Sequence, residues 1–452
     1  MNTLLHTLPR WLGIAATLLL CSVAGTAWAV IDGVAGPTFN LTAKADYIST
    51  ADGNSIYTWG YANGNGTMQY PGVTMIVNQG DVITVNLSNE LPVPVSIIFP
   101  GQEGVVGSGG SAGLITQEAP AMSGGVPGTV SYTFTATHAG TYLYHSGTQP
   151  ALQVEMGLLG ALIVRPAVAN QAYGHADTRF DHEYLFLLTE MDPLIHQQVG
   201  LQVAAGQPGQ PVNVDVDTSV YKPVNWFING RNAPDTLLAA NTPLLPTQPY
   251  NIVPRMHPGE KLLMRVIDAG RDMHPLHTHG NNIWVIARDG RMLESAPGAG
   301  PDLAFSDFTL RTVPGETYDA IFEWTGKGLG WDVYGTGPEF AHFCNGIPLG
   351  GSQPSGAPEY DPVTKEYCAD HGKALPVTLP SNLDLTIGEH YSGSPYLGRF
   401  GTLPPSHVST NANAGYMHMW HSHNEREIVN NDIFPGGMMT MLIIEPPGVA
   451  IP

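Results

Sequence analysis

Residues 273–280 read Met-His-Pro-Leu-His-Thr-His-Gly, and this histidine-rich stretch leads into an apolar run at 283–286. That run, Ile-Trp-Val-Ile, is typical of a β-strand. Side chains two residues apart in an extended chain point to the same face, so His277 and His279 are expected to project together. Two neighbouring imidazoles on one face suit two ligands of a single metal ion.

A second His-x-His pair, His421 and His423, lies beside another predicted strand near the C-terminal end. Imidazole is the commonest metal-binding side chain in proteins, so two such pairs in one chain predict a metal centre. A purely structural role for these histidines is the alternative. Apart from these motifs, the sequence contains neither a Ser-His-Asp elbow nor a phosphate-binding glycine loop.

The composition indicates an all-β protein with an acidic surface. The chain has 18 Lys and Arg residues against 38 Asp and Glu residues, a formal net charge of −20. This charge argues against a nucleic-acid partner, because binding to phosphates needs clustered basic side chains. The 53 glycines and 38 prolines, together with runs of Val, Ile and Thr, predict many short strands joined by turns.

The N-terminal residues 1–29 predict a secretory signal peptide. One basic residue, Arg10, precedes an apolar run, and Ala27-Trp28-Ala29 forms a small-x-small cleavage site. The run is too short to predict a membrane span, so we expect an exported protein, periplasmic or extracellular. In that compartment the two later cysteines, Cys344 and Cys368, favour a disulfide, with a metal-thiolate role as the weaker alternative.

Strand patterns divide the rest of the chain into two predicted β-sandwich domains, at 30–166 and 181–452, with a linker at 167–180. The second domain contains a long insertion at about 326–414, rich in Gly, Pro and Ser, which the disulfide would hold in place. An internal repeat supports two copies of one sandwich. In each copy a strand carrying histidine is followed by a loop and by a glycine-led apolar strand.

These histidine blocks resemble the copper-binding motifs of the multicopper oxidases, which are built from cupredoxin domains. The family motif His-Pro-x-His-x-His-Gly is intact at residues 274–280. The resemblance covers most of the chain outside the signal peptide and the insertion. It implies two cupredoxin-like Greek-key β-sandwiches that hold copper between them.

The other three family motifs are altered in this sequence. In the first motif Ile98 and Pro100 stand where the family has histidines, and in the second Gly147 replaces one histidine. In the fourth, Ser422 replaces the cysteine that binds the type 1 copper, and Glu427 replaces a histidine. Serine cannot supply the thiolate of a blue copper site, so the resemblance implies a protein without one.

The resemblance also implies which ligands survive. The type 1 position would retain His274, with Glu427 and Met438 as further candidates, and the trinuclear cluster would retain five histidines: His145, His277, His279, His421 and His423. Five imidazoles suffice for one or two copper ions, and zinc also suits a three-histidine site.

Several neighbouring side chains permit two interpretations. The methionines around the fourth motif either hold reduced copper or pack the core, and core packing is favoured. Glu427 is interpreted as a surface charge in preference to a ligand or a base. Asp272 either orients a ligand histidine or is a solvated carboxylate. The remaining histidines are interpreted as surface or structural residues: His138, His175, His182, His196, His257, His342, His371, His390, His407 and His418.

The sequence thus predicts an exported copper-binding oxidoreductase with a reduced copper set, acting on a small-molecule or metal-ion reductant. The alternatives are a non-catalytic copper-binding or copper-tolerance protein, and a structural protein that has lost its chemistry. Two-domain members of the family typically form homotrimers, so the resemblance implies that His145 of one subunit meets the histidines of a neighbouring second domain.

Overall fold

The computed structural model describes residues 31–334, 336, 341–374, 393–394, 416–445 and 448–451. The predicted signal peptide lies outside the described residues, as does much of the later part of the predicted insertion, including His390 and His407. Among the described residues, no helix is long and apolar enough to cross a membrane.

The N-terminal half of the chain forms a sandwich of two sheets. One sheet has five strands, in the order Ser55–Asn63, Thr38–Ser49, Val82–Asn89, Gly128–Thr135 and Val106–Ser108. The other has four, in the order Val34–Ala35, Met75–Asn78, Leu159–Arg165 and Gly140–His145. A small hairpin pairs Ser111–Ala112 with Gln117–Glu118, and one helical turn spans Pro150–Gln153.

The C-terminal half forms a second sandwich. Its seven-stranded sheet has the order Asn225–Ile228, His182–Met191, Lys261–Asp268, Thr317–Glu323, Ile283–Arg288 and Arg291–Met292, with Phe305–Asp307 also paired to Ile283–Arg288. Its six-stranded sheet has the order Arg255–Met256, Met439–Ile444, Tyr416–Ser422, Pro275–Thr278 and Thr309–Arg311, with Gly393–Ser394 paired to Tyr416–Ser422. The predicted all-β fold of two sandwiches is confirmed.

Burial patterns explain why these segments form strands. Val82–Asn89 alternates between outward and buried side chains, as expected for a strand with one face on a core. Leu159–Arg165 is buried on both faces, which explains its continuous apolar sequence. Its residues Leu162 and Val164 pack in the first sandwich, whereas Leu159, Ala161 and Ile163 pack against apolar residues of the second.

A helix at Pro193–Ala205, which the strand patterns do not predict, joins the two halves. Asp192 caps its N-terminus by accepting a hydrogen bond from the amide of Leu194 at 2.9 Å, and Pro193 suits the first helical position. Ile195 and Val199 pack in the core of the first sandwich, although they follow the first strand of the second in sequence. The domain limits drawn from the sequence therefore stay a prediction.

The predicted linker and the first part of the insertion both pack against the sandwiches. In the linker, which contains the 3-10 turn Ala176–Thr178, the hydroxyl of Tyr173 donates to buried Asp319. In the insertion, Phe343–Cys344 pairs with Ile347–Pro348, and Cys344 forms a disulfide with Cys368, as the sequence favours. Further 3-10 turns span Asp235–Leu237, Cys368–Asp370 and Glu425–Ile428.

A buried ion cluster ties the two sandwiches together. Arg265 is fully buried, and its Nε donates to Glu183 at 2.9 Å. A second guanidinium nitrogen donates to the hydroxyl of Thr141, on the first sandwich, at 3.0 Å. That hydroxyl in turn donates to Asp319 at 2.5 Å, so Asp319 depends on this arginine for charge compensation, whereas Glu183 also pairs with Arg165.

We expect Arg265→Met to lower the free energy of unfolding by about 3–5 kcal/mol, because Asp319 would remain buried without a cation and Glu183 would lose one of its two cations. Arg288→Met is the matched control: Arg288 pairs with Glu316 but is half exposed, so its loss should cost about 1 kcal/mol or less. Urea denaturation followed by circular dichroism measures both. Equal stability of the two variants would contradict the prediction.

Candidate metal centre

The candidate centre is built on two adjacent strands of the six-stranded sheet. Pro275–Thr278 and Tyr416–Ser422 are antiparallel, and their register places His277 directly opposite His421. Leu276 and Trp420, which directly precede these two histidines in their strands, belong to the apolar core. Because successive side chains of a strand point to opposite faces, the two histidines share the face turned away from that core.

Four histidines converge at this position. The ring centroid of His277 lies 4.8 Å from that of His279, 4.9 Å from that of His423 and 5.6 Å from that of His421. The Nε2 atoms of His279 and His421 are 3.2 Å apart. One ring nitrogen from each of His277, His279 and His421 lies within 4.8 Å of the others, so a single ion can reach all three.

Hydrogen bonds fix which nitrogens face this space. Nδ1 of His421 donates to the backbone carbonyl of Ser422 at 2.6 Å, which leaves the lone pair on Nε2. Nδ1 of His277 is bonded to the hydroxyl of Thr309 at 2.7 Å. Such bonds to the far nitrogen are the usual means by which proteins orient a metal-binding imidazole.

Burial and mutual repulsion keep His277 and His421 neutral. Burial, followed by the nearby rings of His279, His421 and His423, lowers the pKa of His277 to about 3. Burial also lowers the pKa of His421 to about 4. A neutral imidazole is the form that binds metals, so the group is in its coordinating state at neutral pH.

The group opens to solvent on one side. His277 is buried, His279 is partly buried and His423 is exposed. The ring of Phe308, itself 43% exposed, lies 5.5 Å from that of His277. An ion bound here would therefore lie at the surface of this chain, beside an exposed aromatic side chain.

His145 is presented in the same way on the first sandwich. Its Nδ1 donates to the carbonyl of the following residue, Ser146, at 3.0 Å, as His421 does to Ser422. Burial lowers its pKa, so its free nitrogen is also in the coordinating form. Within the described part of this chain, however, His145 makes no ring contact with the four histidines.

His274 is also separate from the four histidines, and both its ring nitrogens are engaged. Nδ1 lies 3.0 Å from a carboxylate oxygen of Glu427, and Nε2 lies 3.0 Å from one of Glu190. Ser422 donates its hydroxyl to the same oxygen of Glu427 at 2.5 Å. All four side chains are buried, so a proton-bearing network occupies the core side of the sheet at this point.

The two carboxylates keep His274 protonated and positively charged. Burial alone would lower its pKa, but the hydrogen bonds to Glu190 and Glu427 raise it to about 10. An imidazolium has no lone pair for a metal. The interpretation of Glu427 as a surface charge is wrong, because it is 2% exposed and bonded to His274.

Glu190 and Met438 also lie in this region. Glu190 was missed by the sequence analysis, although an acidic residue within the apolar strand His182–Met191 is a signal for a buried partner. Met438, a candidate ligand, is buried in the apolar core of the second sandwich, as favoured for the methionines of this region.

Comparisons with known proteins relate parts of this chain to copper oxidases. A family model described as multicopper oxidase matches residues 42–168. L-ascorbate oxidase of Cucumis sativus is 31% identical over 175 residues, which cover 38% of this chain and 26% of that protein. Multicopper oxidase MCE of Talaromyces pinophilus is 37% identical over 108 residues, 22% of this chain and 15% of that protein.

Two solved structures share the architecture. The multicopper oxidase mgLAC superposes with a TM-score of 0.52 at 19% identity, covering 92% of this chain and 87% of that one. The blue copper oxidase from Nitrosomonas europaea gives a TM-score of 0.50 at 19% identity, covering 90% and 85%. The chain is thus similar to the multicopper oxidases: residues 42–168 match the family model, and the described fold is that of these two oxidases. The matched part spans less than a third of the two curated relatives named above.

The two faces of one sheet hold different groups. His277 and His421 lie on the outer face with the other converging histidines. The charged His274 lies on the core side with Ser422. The strand alternation that separates Trp420 from His421 also separates these two groups.

The raised pKa of His274 predicts a pH-dependent contribution to stability. The imidazolium should stabilise the fold fully below about pH 6.5, its unfolded pKa, and less as the pH rises towards its folded pKa of about 10. We therefore expect His274→Gln to be strongly destabilising at pH 6 and much less so at pH 10. Urea denaturation at both values measures the difference, with exposed His138→Gln as the control. A destabilisation independent of pH would contradict the assignment.

Proposed function

We propose that this protein is an exported, periplasmic or extracellular, copper-binding oxidoreductase of the multicopper oxidase class, with a reduced copper set and no type 1 copper. The observation that carries the proposal is the group of four histidines, in which a ring nitrogen from each of three lies within 4.8 Å of the others. The similarity to multicopper oxidases supports the oxidoreductase class, and the altered motifs support the reduced copper set.

The donor set suits copper. Cu(II) heads the affinity order of the divalent ions for nitrogen ligands, and the four imidazoles include no thiolate or carboxylate. Copper bound here would supply one-electron redox chemistry. Zinc fits three imidazoles and an open position as well, so the metal preference is part of what must be measured. One or two ions match the number of ligands.

The absence of a type 1 copper is supported by what occupies its position. His274 carries a proton between Glu190 and Glu427, and Ser422 has no thiolate to offer. A metal ion at this point would have to displace a proton from His274, which both carboxylates hold by hydrogen bonds. Copper is therefore expected only on the outer face of the sheet.

Without the type 1 site, a reductant would have to approach the histidine group directly. The exposure of His423 leaves such an approach open. A small molecule or a reduced metal ion fits this access, and the net charge of −20 favours cations near the surface. The histidines would hold and orient the ion, while Thr309 and the carbonyl of Ser422 keep the rings in place.

A homotrimer would complete the site. His145 shows the same backbone-fixed tautomer as His421 and would reach the histidine group of a neighbouring subunit. Apolar side chains are exposed near both halves of such a contact: Leu114 is 98% and Ile115 57% exposed close to the His145 loop, and Phe308 is 43% exposed beside His277. Exposed apolar side chains of this kind are common where subunits meet.

The alternative is a non-catalytic copper-binding protein. Both ring nitrogens of His274 are hydrogen-bonded to carboxylates, which supports this alternative. Without a type 1 copper to pass electrons to it, a copper ion on the outer face can be stored without turnover. Oxygen consumption separates the two functions. The oxidoreductase consumes oxygen with ascorbate, a hydroquinone or ferrous ion. The storage protein binds copper but consumes oxygen no faster than the same amount of free copper.

We expect His277→Ala/His421→Ala to abolish specific copper binding, because it removes two of the three converging nitrogens. His138→Ala, which changes an exposed histidine, should bind as much copper as the unmodified protein. Elemental analysis after copper loading and desalting measures both, and the electron paramagnetic resonance spectrum should show no blue-copper signature. Full copper retention by the double variant, or an intense blue colour, would refute the proposal.

We expect light scattering to give a trimer at micromolar concentration. His145→Ala should lower copper affinity at least tenfold while leaving the trimer intact, since the loop loses a ligand but no apolar contact. Leu114→Asp should weaken the trimer and the copper affinity together. A monomeric protein with full copper affinity would rule out the shared site.

A further inference from the structure

A second group of ligand-type side chains lies in the described part of the insertion. Asp332, His342, Glu366 and His371 bring one nitrogen or oxygen each to within 4.8 Å of one another. Their side chains are nearly inaccessible: His342 is 9% exposed, Glu366 is 2%, and the other two are fully buried. From the sequence alone, the two histidines are interpreted as surface or structural residues.

The nitrogens of this group face the carboxylates. Nδ1 of His371 lies 3.2 Å from Glu366 Oε1 and 3.4 Å from Asp332 Oδ2. Nε2 of His342 lies 3.3 Å from Glu366 Oε2 and 3.6 Å from Asp332 Oδ1. The two rings meet edge to face with centroids 4.7 Å apart. The four groups thus surround one small volume.

Further hydrogen bonds hold the side chains of this group in place, as in metal sites. Nε2 of His371 lies 3.1 Å from the carbonyl of Ile347, which can only accept, so this nitrogen carries a proton. In the neutral ring Nδ1 then presents a lone pair to the carboxylates. The amides of Gly372 and Tyr334 donate to Asp332 at 2.7 and 2.9 Å. Bonds of this kind orient metal ligands and fix their tautomers.

The charge of the group calls for a cation. Two carboxyl groups share one buried volume, and Nδ1 of His371 faces an oxygen of each at close range. Oε2 of Glu366 has no hydrogen bond of good geometry among the described residues, although it is buried. Buried charges are paired or bind metals, because isolated ones are too costly. A divalent ion would balance both carboxylates at once.

The disulfide and the core of the second sandwich place the four ligands. Cys344 and Cys368 each follow a ligand by two residues, and their Cα atoms are 5.6 Å apart. The cross-link therefore holds His342 and Glu366 near each other. Trp331, Val333 and Tyr334 are part of the apolar core, so Asp332 is anchored to the sandwich itself.

We propose that Asp332, His342, Glu366 and His371 bind one zinc-class divalent ion that fastens the insertion to the second sandwich. Nitrogen and carboxylate donors suit zinc, and a buried set of four protein ligands is typical of a structural site. The site shares no residue with the histidine group on the six-stranded sheet. It stands whether or not the proposed copper function is correct.

The test uses the full chain, zinc chloride as the probe and three variants. His342→Gln/His371→Gln removes two ligands, and Glu366→Gln removes one charge at constant size. His277→Ala/His421→Ala removes the other metal group and serves as the matched control. Zinc per chain is measured by elemental analysis after desalting, and zinc affinity by competition with a chromophoric chelator. Cobalt(II) replaces zinc for visible absorption spectra.

We expect the unmodified protein and the His277→Ala/His421→Ala control to retain zinc, and to show tetrahedral cobalt absorption. The His342→Gln/His371→Gln variant should lose both, and Glu366→Gln should weaken zinc binding at least tenfold. Circular dichroism and intact copper binding by these two variants show that they are folded. If the double variant does not fold, Glu366→Gln decides the question.

The opposite results would overturn the proposal. Zinc that disappears in the His277→Ala/His421→Ala control belongs to the outer histidine group. Zinc binding unchanged by Glu366→Gln means that the four residues are not its ligands. They would then form two imidazolium–carboxylate pairs without a metal. In that case the unmodified protein and the double variant would bind zinc with the same affinity.

Discussion

The antiparallel pairing of Pro275–Thr278 with Tyr416–Ser422 is the constraint on which the rest of the site depends. These strands come from segments far apart in the chain, and their register alone sets His277 opposite His421. A shift of one residue would turn every side chain to the other face. Trp420 would then leave the core and the histidines would enter it. The apolar core of the second sandwich therefore fixes the geometry of the candidate metal centre.

The same buried sheet gives its histidines opposite chemical states. On the outer face, imidazoles surrounded by other imidazoles lose their protons, and the pKa of His277 falls to about 3. On the core side, two carboxylates compensate the charge of His274 and raise its pKa to about 10. Burial opposes the charge in both places, so the partners decide the outcome. One group is ready for a metal ion, and the other already holds a proton.

The two sandwiches act as one body because their contact is both apolar and ionic. Leu159–Arg165 buries both faces, one in its own core and one against the second sandwich. The buried Arg265 adds specific hydrogen bonds to this contact, since it donates to Glu183 and to Thr141, which lie in different halves of the chain. The capped helix Pro193–Ala205 adds a third link by returning to the first core. The histidine loops of each half are thus held at fixed positions.

Local sequence determined the strands, the repeated sandwich, the disulfide pairing and the convergence of His277 with His279. These features follow from period-two alternation and from short spacings, which a single segment encodes by itself. The helix Pro193–Ala205, the pairing of His274 with Glu190 and Glu427, and the ligand-like group around Glu366 were decided only by tertiary structure. Each depends on residues distant in the chain that meet through packing. The charge state of a buried side chain depends on those neighbours, and a local sequence pattern does not predict which residues they are.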